Sequence, residues 1–292
     1  MAGLCVGALG AMLVTVAQFP ARDAAQATPI AASSKTTTST SPASTPGNPV
    51  PDESGPGSLL NEAVDPGKLA ALEPGSGTNL SVAVYDRREQ KLTTSYHPAL
   101  TYTTASLVKV FIALEAEESG DIPAAKVKQM LARSDDNIAS ELWSRLGGPD
   151  IVRHWVTKIG LHDTKPPEDA GHWGNTRISA PDMVAVYRYL LEREPAAKRK
   201  IILDGMAGAT EQGADGFRQY YGIADATGKI PWAIKQGWSC CGPERTLHST
   251  GILGSDNRYI VVVLSTMPSS TGYETGAKRV TDVVKLLVKS RG

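Results

Sequence analysis

Polar and hydrophobic residues alternate along residues 79–86, NLSVAVYD, in the period-two pattern of a strand with one buried face. A polar turn follows, and a second alternating run at residues 92–96 predicts an antiparallel hairpin. Beyond about residue 228 the pattern returns to strands. Three are predicted, at residues 232–238, 245–253 and 258–267, and the apolar run YIVVVLS of the last is typical of the centre of a sheet.

Between these groups of strands, apolar residues recur with the spacing of helices. Pro123 suits a first helical turn, and glycines at positions 147, 148 and 160 end two of the predicted helices. Residues 162–177 have no period and predict a loop. Helices are predicted at residues 58–73, from Ser106 onward, and at 123–133, 138–146, 150–159 and 180–194. The last helix, at residues 274–289, is amphipathic and places on one face Val280, Val283, Val284, Leu287 and Val288.

This order of elements predicts an α+β fold. Two strands, a series of helices, three strands and a final helix indicate an antiparallel sheet flanked by helices, with an all-helical region inserted in the middle. We expect a cleft between the sheet and the inserted helices.

The first residues have the composition of an export segment rather than of a protein core. Residues 2–19 carry no charge, and Ala25-Gln26-Ala27 is typical of a signal cleavage site. An uncleaved membrane anchor is the alternative, because a run of about 18 apolar residues can just span a bilayer. Residues 28–57, rich in Thr, Ser, Pro and Ala, predict a disordered linker. We therefore expect a signal peptide or anchor at 1–27, a linker at 28–57 and one extracytoplasmic domain at 58–292.

Charge and cysteine content narrow the range of partners. The chain has 292 residues with 30 basic and 30 acidic side chains, and no basic patch predicts nucleic-acid binding. Cys240 and Cys241 are adjacent, so free thiols, a strained vicinal disulfide and an intermolecular bridge all remain open. Neither the cysteines nor the histidines have the spacing of metal ligands. We expect a monomer without metal or cofactor, which contacts a membrane only through an uncleaved anchor.

Ser106 and Lys109 are the first candidate catalytic pair. They lie three residues apart where a turn signal leads into the apolar run VKVFIALEAEE. Residues so spaced on a helix share a face, with Cβ atoms roughly 5–6 Å apart, so the amine can reach the hydroxyl. A serine beside a base is an activated nucleophile.

Two further motifs make this pair specific. Ser134-Asp135-Asp136-Asn137 falls in a predicted turn between helices, and Lys235-Gln236-Gly237 falls on a predicted strand. Together with Ser106-Leu107-Val108-Lys109, the set resembles the S-x-x-K, S-D-N and K-T-G motifs of the penicillin-recognising serine enzymes, the class A β-lactamases and D,D-peptidases. The resemblance covers the whole predicted domain and implies the β-lactamase/transpeptidase-like fold.

The resemblance also implies catalytic roles. Ser106 would attack the substrate carbonyl, with Lys109 as its base. Lys109 can act only as a neutral amine, and burial and the second cation at Lys235 both favour that state. Ser134 would relay a proton between the two lysines toward the leaving nitrogen.

Substrate binding would involve residues on the second and third motifs. The backbone N–H groups of Ser106 and Trp238 would form an oxyanion hole, and Gly237 would let substrate lie along the strand edge. Gln236 stands where the family has threonine or serine, and its amide can donate to a substrate carboxylate from a longer arm. Asp136 stands where the family has asparagine. Because a carboxylate cannot donate to a substrate carbonyl, either Asn137 makes that contact or the contact is lost.

The predicted loop bears on product release. The β-lactamases carry a loop glutamate that activates water for deacylation. Between Pro166-Pro167 and Gly171-His172-Trp173 only Glu168 and Asp169 offer a carboxylate, and they lie outside the family's pattern. Exposed loop acids are the commoner interpretation, and Glu168 is kept as the candidate base. Efficient β-lactamase turnover is therefore not expected. Trp173 either lines the cleft mouth or anchors the loop.

These observations predict a secreted or cell-envelope serine hydrolase, acylated at Ser106 by a β-lactam or by a peptidoglycan stem-peptide amide. The alternative is a catalytically inactive protein of the same fold that binds peptidoglycan or the cell wall. A Ser-His-Asp hydrolase is disfavoured because no G-x-S-x-G surrounds a serine.

Overall fold

The computed structural model describes residues 58–61, 64–73, 77–239 and 244–289. The predicted export segment at 1–27, the linker at 28–57, and Cys240 and Cys241 lie outside the described residues. Across the described part of the chain, no helix has the length and apolar character needed to cross a membrane.

The predicted sheet is confirmed. The strands are β1 Asn79–Asp86, β2 Lys91–Tyr96, β3 Thr101–Thr103, β4 Arg177–Ser179, β5 Trp232–Ser239, β6 Glu244–Leu253 and β7 Tyr259–Pro268. The main sheet is antiparallel, and its five strands follow the order β2-β1-β7-β6-β5. A short pair, β3 and β4, lies apart from it and joins the segment before Ser106 to the loop of residues 162–177.

Most of the predicted helices are present. They are α1 Pro66–Ala70, α2 Lys109–Ser119, α3 Ala124–Ala132, α4 Asp136–Arg145, α5 Pro149–Ile159, α6 Ala180–Glu192, α7 Ala196–Ala207, α8 Ile223–Ala226 and α9 Tyr273–Leu287. The prediction at residues 58–73 was wrong in extent, because Leu60 pairs with Val288 and the helix begins only at Pro66, capped by Asp65. α7 and α8 were not predicted as separate helices.

Alternating side chains of the sheet build a core on each face. On one face Val261 and Val263 of β7 pack in a cluster with Val280 and Val284 of α9. On the other face Ile260, Val262 and Leu264 belong to a cluster that extends through α2 and α6 into the inserted helices. A strand directs successive side chains to opposite faces, so β7, buried on both sides, is apolar from Tyr259 to Leu264. This is the predicted α+β fold.

Strand β5 is the sheet edge that positions the site. It packs against the 3-10 turn Ala105–Val108, which leads into α2. At Gly237 of β5, an added Cβ would lie 2.8 Å from the carbonyl oxygen of Thr104. Only glycine permits this close approach, so Gly237 brings the sheet edge against the segment that carries Ser106.

Candidate active site

Ser106 lies in the second position of the 3-10 turn and is 5% exposed. The preceding residue, Ala105, has a φ of 44°, a left-handed conformation that is uncommon for residues with a side chain. A distant segment of the chain stabilises the turn, because the N–H of Thr104 donates to the carbonyl of Thr176 at 2.7 Å. Such strain clusters at functional sites, where the surrounding structure maintains it.

The structure brings Lys109 within hydrogen-bond distance of three acceptors. Its Nζ lies 2.6 Å from Ser106 Oγ, 3.3 Å from Ser134 Oγ and 2.6 Å from Asp136 Oδ1. The amine is fully buried, whereas the Asp136 side chain is 60% exposed. Lys109 is therefore the centre of the candidate site.

Ser134 reaches this site because the chain turns sharply between α3 and α4. Its φ is 50°, and the helix cap is made by the next residue, Asp135, which accepts from the N–H groups of Asn137 and Ile138. The Ser134 hydroxyl is thus free to point inward, where Lys235 Nζ donates to it at 2.9 Å. A continuous hydrogen-bonded path runs from Ser106 through the two lysines.

Burial lowers the pKa of both lysines, since a charged amine is penalised away from water. For Lys235 the pKa is lowered well below its usual value, and the neighbouring Lys109 adds to the effect of burial. For Lys109 the nearby Asp136 carboxylate opposes the effect. The environment favours neutral amines, and Asp136 is the main group acting against that state at Lys109.

Asp136, rather than Asn137, is therefore the residue beside the Lys109 amine. Asp136 begins α4 and accepts from Lys109, while Asn137 is exposed in the same first turn. The sequence left open which of the two faces the site, and the contact of Asp136 with the amine decides it.

The side-chain amide of Gln236, which was predicted to contact a substrate carboxylate, is engaged within the protein. Its side chain is 1% exposed, and its amide donates to the carbonyls of Gln219 at 3.0 Å and Tyr221 at 2.7 Å. The cause is strand alternation, which directs Gln236 away from the face on which Lys235 meets Ser134. Its Oε1 has no hydrogen-bond partner within the described residues.

Trp238 and Asp215 form the other side of the site. The Trp238 indole donates to Asp215 Oδ2 at 2.9 Å, stacks on Phe217 with ring centroids 4.7 Å apart, and lies 5.7 Å from Lys235 Nζ. Asp215 was not predicted, because it lies in a glycine-bounded turn, GADGF, that carries no motif.

The loop of residues 162–177 presents an indole to the Lys109 amine. The ring centroid of Trp173 lies 4.6 Å from Lys109 Nζ, and its Nε1 donates to Ser140 Oγ at 3.2 Å. Glu168 is exposed and, within the described residues, makes no hydrogen bond with Ser106 or Lys109. Asp169 pairs with His172 in solvent. The role predicted for Glu168 as a deacylation base stays a prediction.

His248 lies inside the protein and bonds to backbone groups of two other segments. It is fully buried in β6, its Nδ1 accepts from the N–H of Ser265 at 3.1 Å, and its Nε2 therefore donates to the carbonyl of Thr103 at 2.8 Å. Among the described residues, no group of three potential metal ligands converges.

Known proteins resemble this chain in sequence. The model of the β-lactamase enzyme family matches residues 120–290. Two relatives named "Putative lipoprotein LppW", from Mycobacterium bovis and Mycobacterium tuberculosis, are 36% identical over 223 residues, which cover 72% of this chain and 70% of theirs.

Solved class A β-lactamases resemble it in fold. The enzyme from Mycobacterium abscessus superposes with a TM-score of 0.63 at 17% identity, covering 76% of this chain and 96% of that enzyme. The enzyme from Bacteroides cellulosilyticus also gives 0.63, at 13% identity, covering 75% and 94%. At these identities the likeness concerns the fold alone. The sequence matches, which span most of the chain, place this protein in the β-lactamase enzyme family.

Proposed function

We propose that this protein is a serine hydrolase that is acylated at Ser106 by a β-lactam or by a peptidoglycan stem-peptide amide. The observation that carries the proposal is the hydrogen-bonded path from Ser106 through Lys109 and Ser134 to Lys235. It provides a nucleophile, a buried amine next to it and a route for the proton.

In the proposed reaction, neutral Lys109 takes the proton of Ser106 as Oγ bonds to the substrate carbonyl carbon. The backbone N–H groups of Ser106 and Trp238 would stabilise the oxyanion. The bond from carbon to the leaving nitrogen then breaks. Ser134 gives its hydroxyl proton to that nitrogen, and Lys109 gives the proton it took from Ser106 to Ser134. The products are an ester on Ser106 and a free amine.

Hydrolysis of that ester is the weak step. Trp173 lies against Lys109, and an indole cannot take a proton from water as a carboxylate does. Glu168 makes no contact with the catalytic pair. The proposed behaviour is therefore a long-lived acyl-enzyme, as in a penicillin-binding protein, rather than rapid turnover.

The location proposed is the cell envelope. The relatives are named as lipoproteins, and residues 1–27 have the pattern of an export signal or anchor. With the tether at 28–57, a domain at 58–292 would work outside the cytoplasm, where peptidoglycan is found.

One observation favours the inactive wall-binding alternative. The Asp136 carboxylate lies 2.6 Å from Lys109 Nζ and stabilises its charged form, which cannot accept the Ser106 proton. Acylation of Ser106 distinguishes the two functions, because only the serine hydrolase forms an ester on that residue.

The test is the intact mass of the protein after prolonged incubation with a high concentration of benzylpenicillin or of its methyl ester. We expect an adduct that peptide mapping places on Ser106 and that the Ser106→Ala variant lacks. The absence of any adduct with both compounds, in a folded protein, would rule out acylation and support the wall-binding alternative.

A further inference from the structure

The groups that usually hold a substrate carboxylate are engaged elsewhere in this cleft. Such a carboxylate is bound by a cation and by hydroxyl or amide donors. Gln236, the residue expected to make this contact, gives its amide N–H groups to two buried carbonyls. The nearest cation on the same strand is Lys235.

Lys235 is also committed. Its Nζ donates to Ser134 Oγ and to the carbonyl of Gln236, both at 2.9 Å, and the residue is 1% exposed. Burial favours the neutral form, and a neutral amine has only two N–H bonds to donate. Neither residue therefore offers a donor to an incoming anion.

An exposed carboxylate lies beside them instead. Asp215 accepts from the Trp238 indole at 2.9 Å, and Trp238 lies on β5, the strand that also carries Lys235. Its turn is anchored next to Ser134, because the N–H of Ala214 donates to the carbonyl of Arg133 at 2.7 Å. These two contacts hold Asp215 against the side of the cleft formed by β5.

A second carboxylate, Asp136, flanks the cleft at the start of α4 and is 60% exposed. The charged groups that shift the pKa of Lys235 are Lys109, Asp136 and Asp215, and Asp135 also acts on Lys109. The two exposed carboxylates, Asp136 and Asp215, therefore place negative charge on the solvent side of the two buried amines, whereas Asp135 is buried and caps α4.

We propose that this cleft selects neutral or cationic amides and esters and discriminates against acyl donors that carry a carboxylate beside the scissile bond. Asp215 is the specificity-determining residue, because it repels such a carboxylate without contacting the nucleophile. The inference rests on the proposed function, since it requires acylation at Ser106.

Benzylpenicillin and its methyl ester differ only in this carboxylate, so they test the inference directly. We expect the ester to acylate Ser106 faster than the acid in the unmodified protein. Asp215 accepts from the Trp238 indole and from the N–H of Phe217, and Asp215→Asn keeps the size of the side chain but only one of these two acceptors. We expect this variant to raise the ratio of the acylation rate with the acid to that with the ester roughly fivefold. The matched control is Asp150→Asn on α5, an exposed carboxylate paired with Arg153 on the same helix.

Ionic strength gives a second readout. Added salt screens repulsion between charges, so it should accelerate acylation by the acid and leave the ester unchanged. The inference is overturned if the unmodified protein reacts with the acid as fast as with the ester, or if Asp215→Asn changes both rates equally. If neither compound labels Ser106 in any variant, the proposed function fails and the inference fails with it.

Discussion

At the scale of single residues, the contact between Asp136 and Lys109 bears most directly on the proposed acylation. Asp136 is a carboxylate 2.6 Å from the amine that would have to be neutral to activate Ser106. Burial favours the neutral amine of Lys109, while Asp136 favours the charged one. Under the proposed function, this balance would set the pH above which Ser106 can be activated.

In a plot of the acylation rate against pH, the rate should rise at a lower pH in Asp136→Asn than in the unmodified protein. Removing the carboxylate lowers the pKa of Lys109, so the neutral amine is present at lower pH. The measurement is the rate of Ser106 acylation by benzylpenicillin methyl ester as a function of pH. The ester carries no charge, so repulsion from Asp136 does not enter. A rise that stays in place or moves to higher pH would contradict the role assigned to Asp136.

At the scale of elements, the loop of residues 162–177 would determine the fate of the proposed acyl-enzyme. The loop is bound to the 3-10 turn that carries Ser106, through the hydrogen bond between Thr104 and Thr176, and its Trp173 ring lies over Lys109. The family uses this kind of loop to bring a base to the ester, whereas here the position next to the amine holds an apolar ring.

Trp173→Glu should shorten the lifetime of the acyl-enzyme. A carboxylate near Lys109 supplies a base for water, and since a well-placed base contributes 10²–10⁴-fold, we expect about tenfold from one that is not optimally positioned. Trp173→Leu is the matched control, which removes the indole but adds no base. The lifetime is read from loss of the Ser106 adduct by mass spectrometry after excess drug is removed. Equal lifetimes in both variants would show that a base at this position does not limit hydrolysis.

At the scale of the whole molecule, His248 connects the sheet to the site. It lies opposite Gly237 in the β5–β6 ladder, and its ring bridges Ser265 of β7 and Thr103, just before the nucleophile turn. Complete burial lowers the pKa of His248 to about 4, from a usual value of 6.5. A histidine kept neutral in this way makes the stability of the fold sensitive to acid.

We expect the free energy of unfolding to fall as pH drops from about 6.5 to about 4. In this window the unfolded chain binds a proton at His248 and the folded protein does not, so acid favours unfolding, by roughly 3 kcal/mol in total. Above pH 6.5 this contribution is constant. Urea denaturation between pH 4 and 8 measures it, with His248→Gln as the comparison. The same pH dependence in both proteins would exclude His248 as its origin.

Much of the fold was predictable from local patterns. Alternation identified β1 and β2, a continuous apolar run identified β7, and glycine stops located the ends of α4 and α5, because these signals depend on neighbours within a few residues. α7 was missed, since few of its residues are buried and its apolar face is narrow. Residues 58–73 were predicted as one helix although Leu60 instead pairs with Val288, which lies far along the chain.

The order of the three motifs, and the spacing of Ser106 and Lys109 within one helical turn, follow from the sequence by itself, because helix geometry alone brings those two side chains together. The tertiary structure decided the rest of the site. Packing of distant segments gave the Gln236 amide its carbonyl partners, placed Asp136 on the Lys109 amine, and brought Trp173 and Asp215 to the two sides of the site. These contacts join residues far apart in the chain, and no local periodicity encodes where such residues meet.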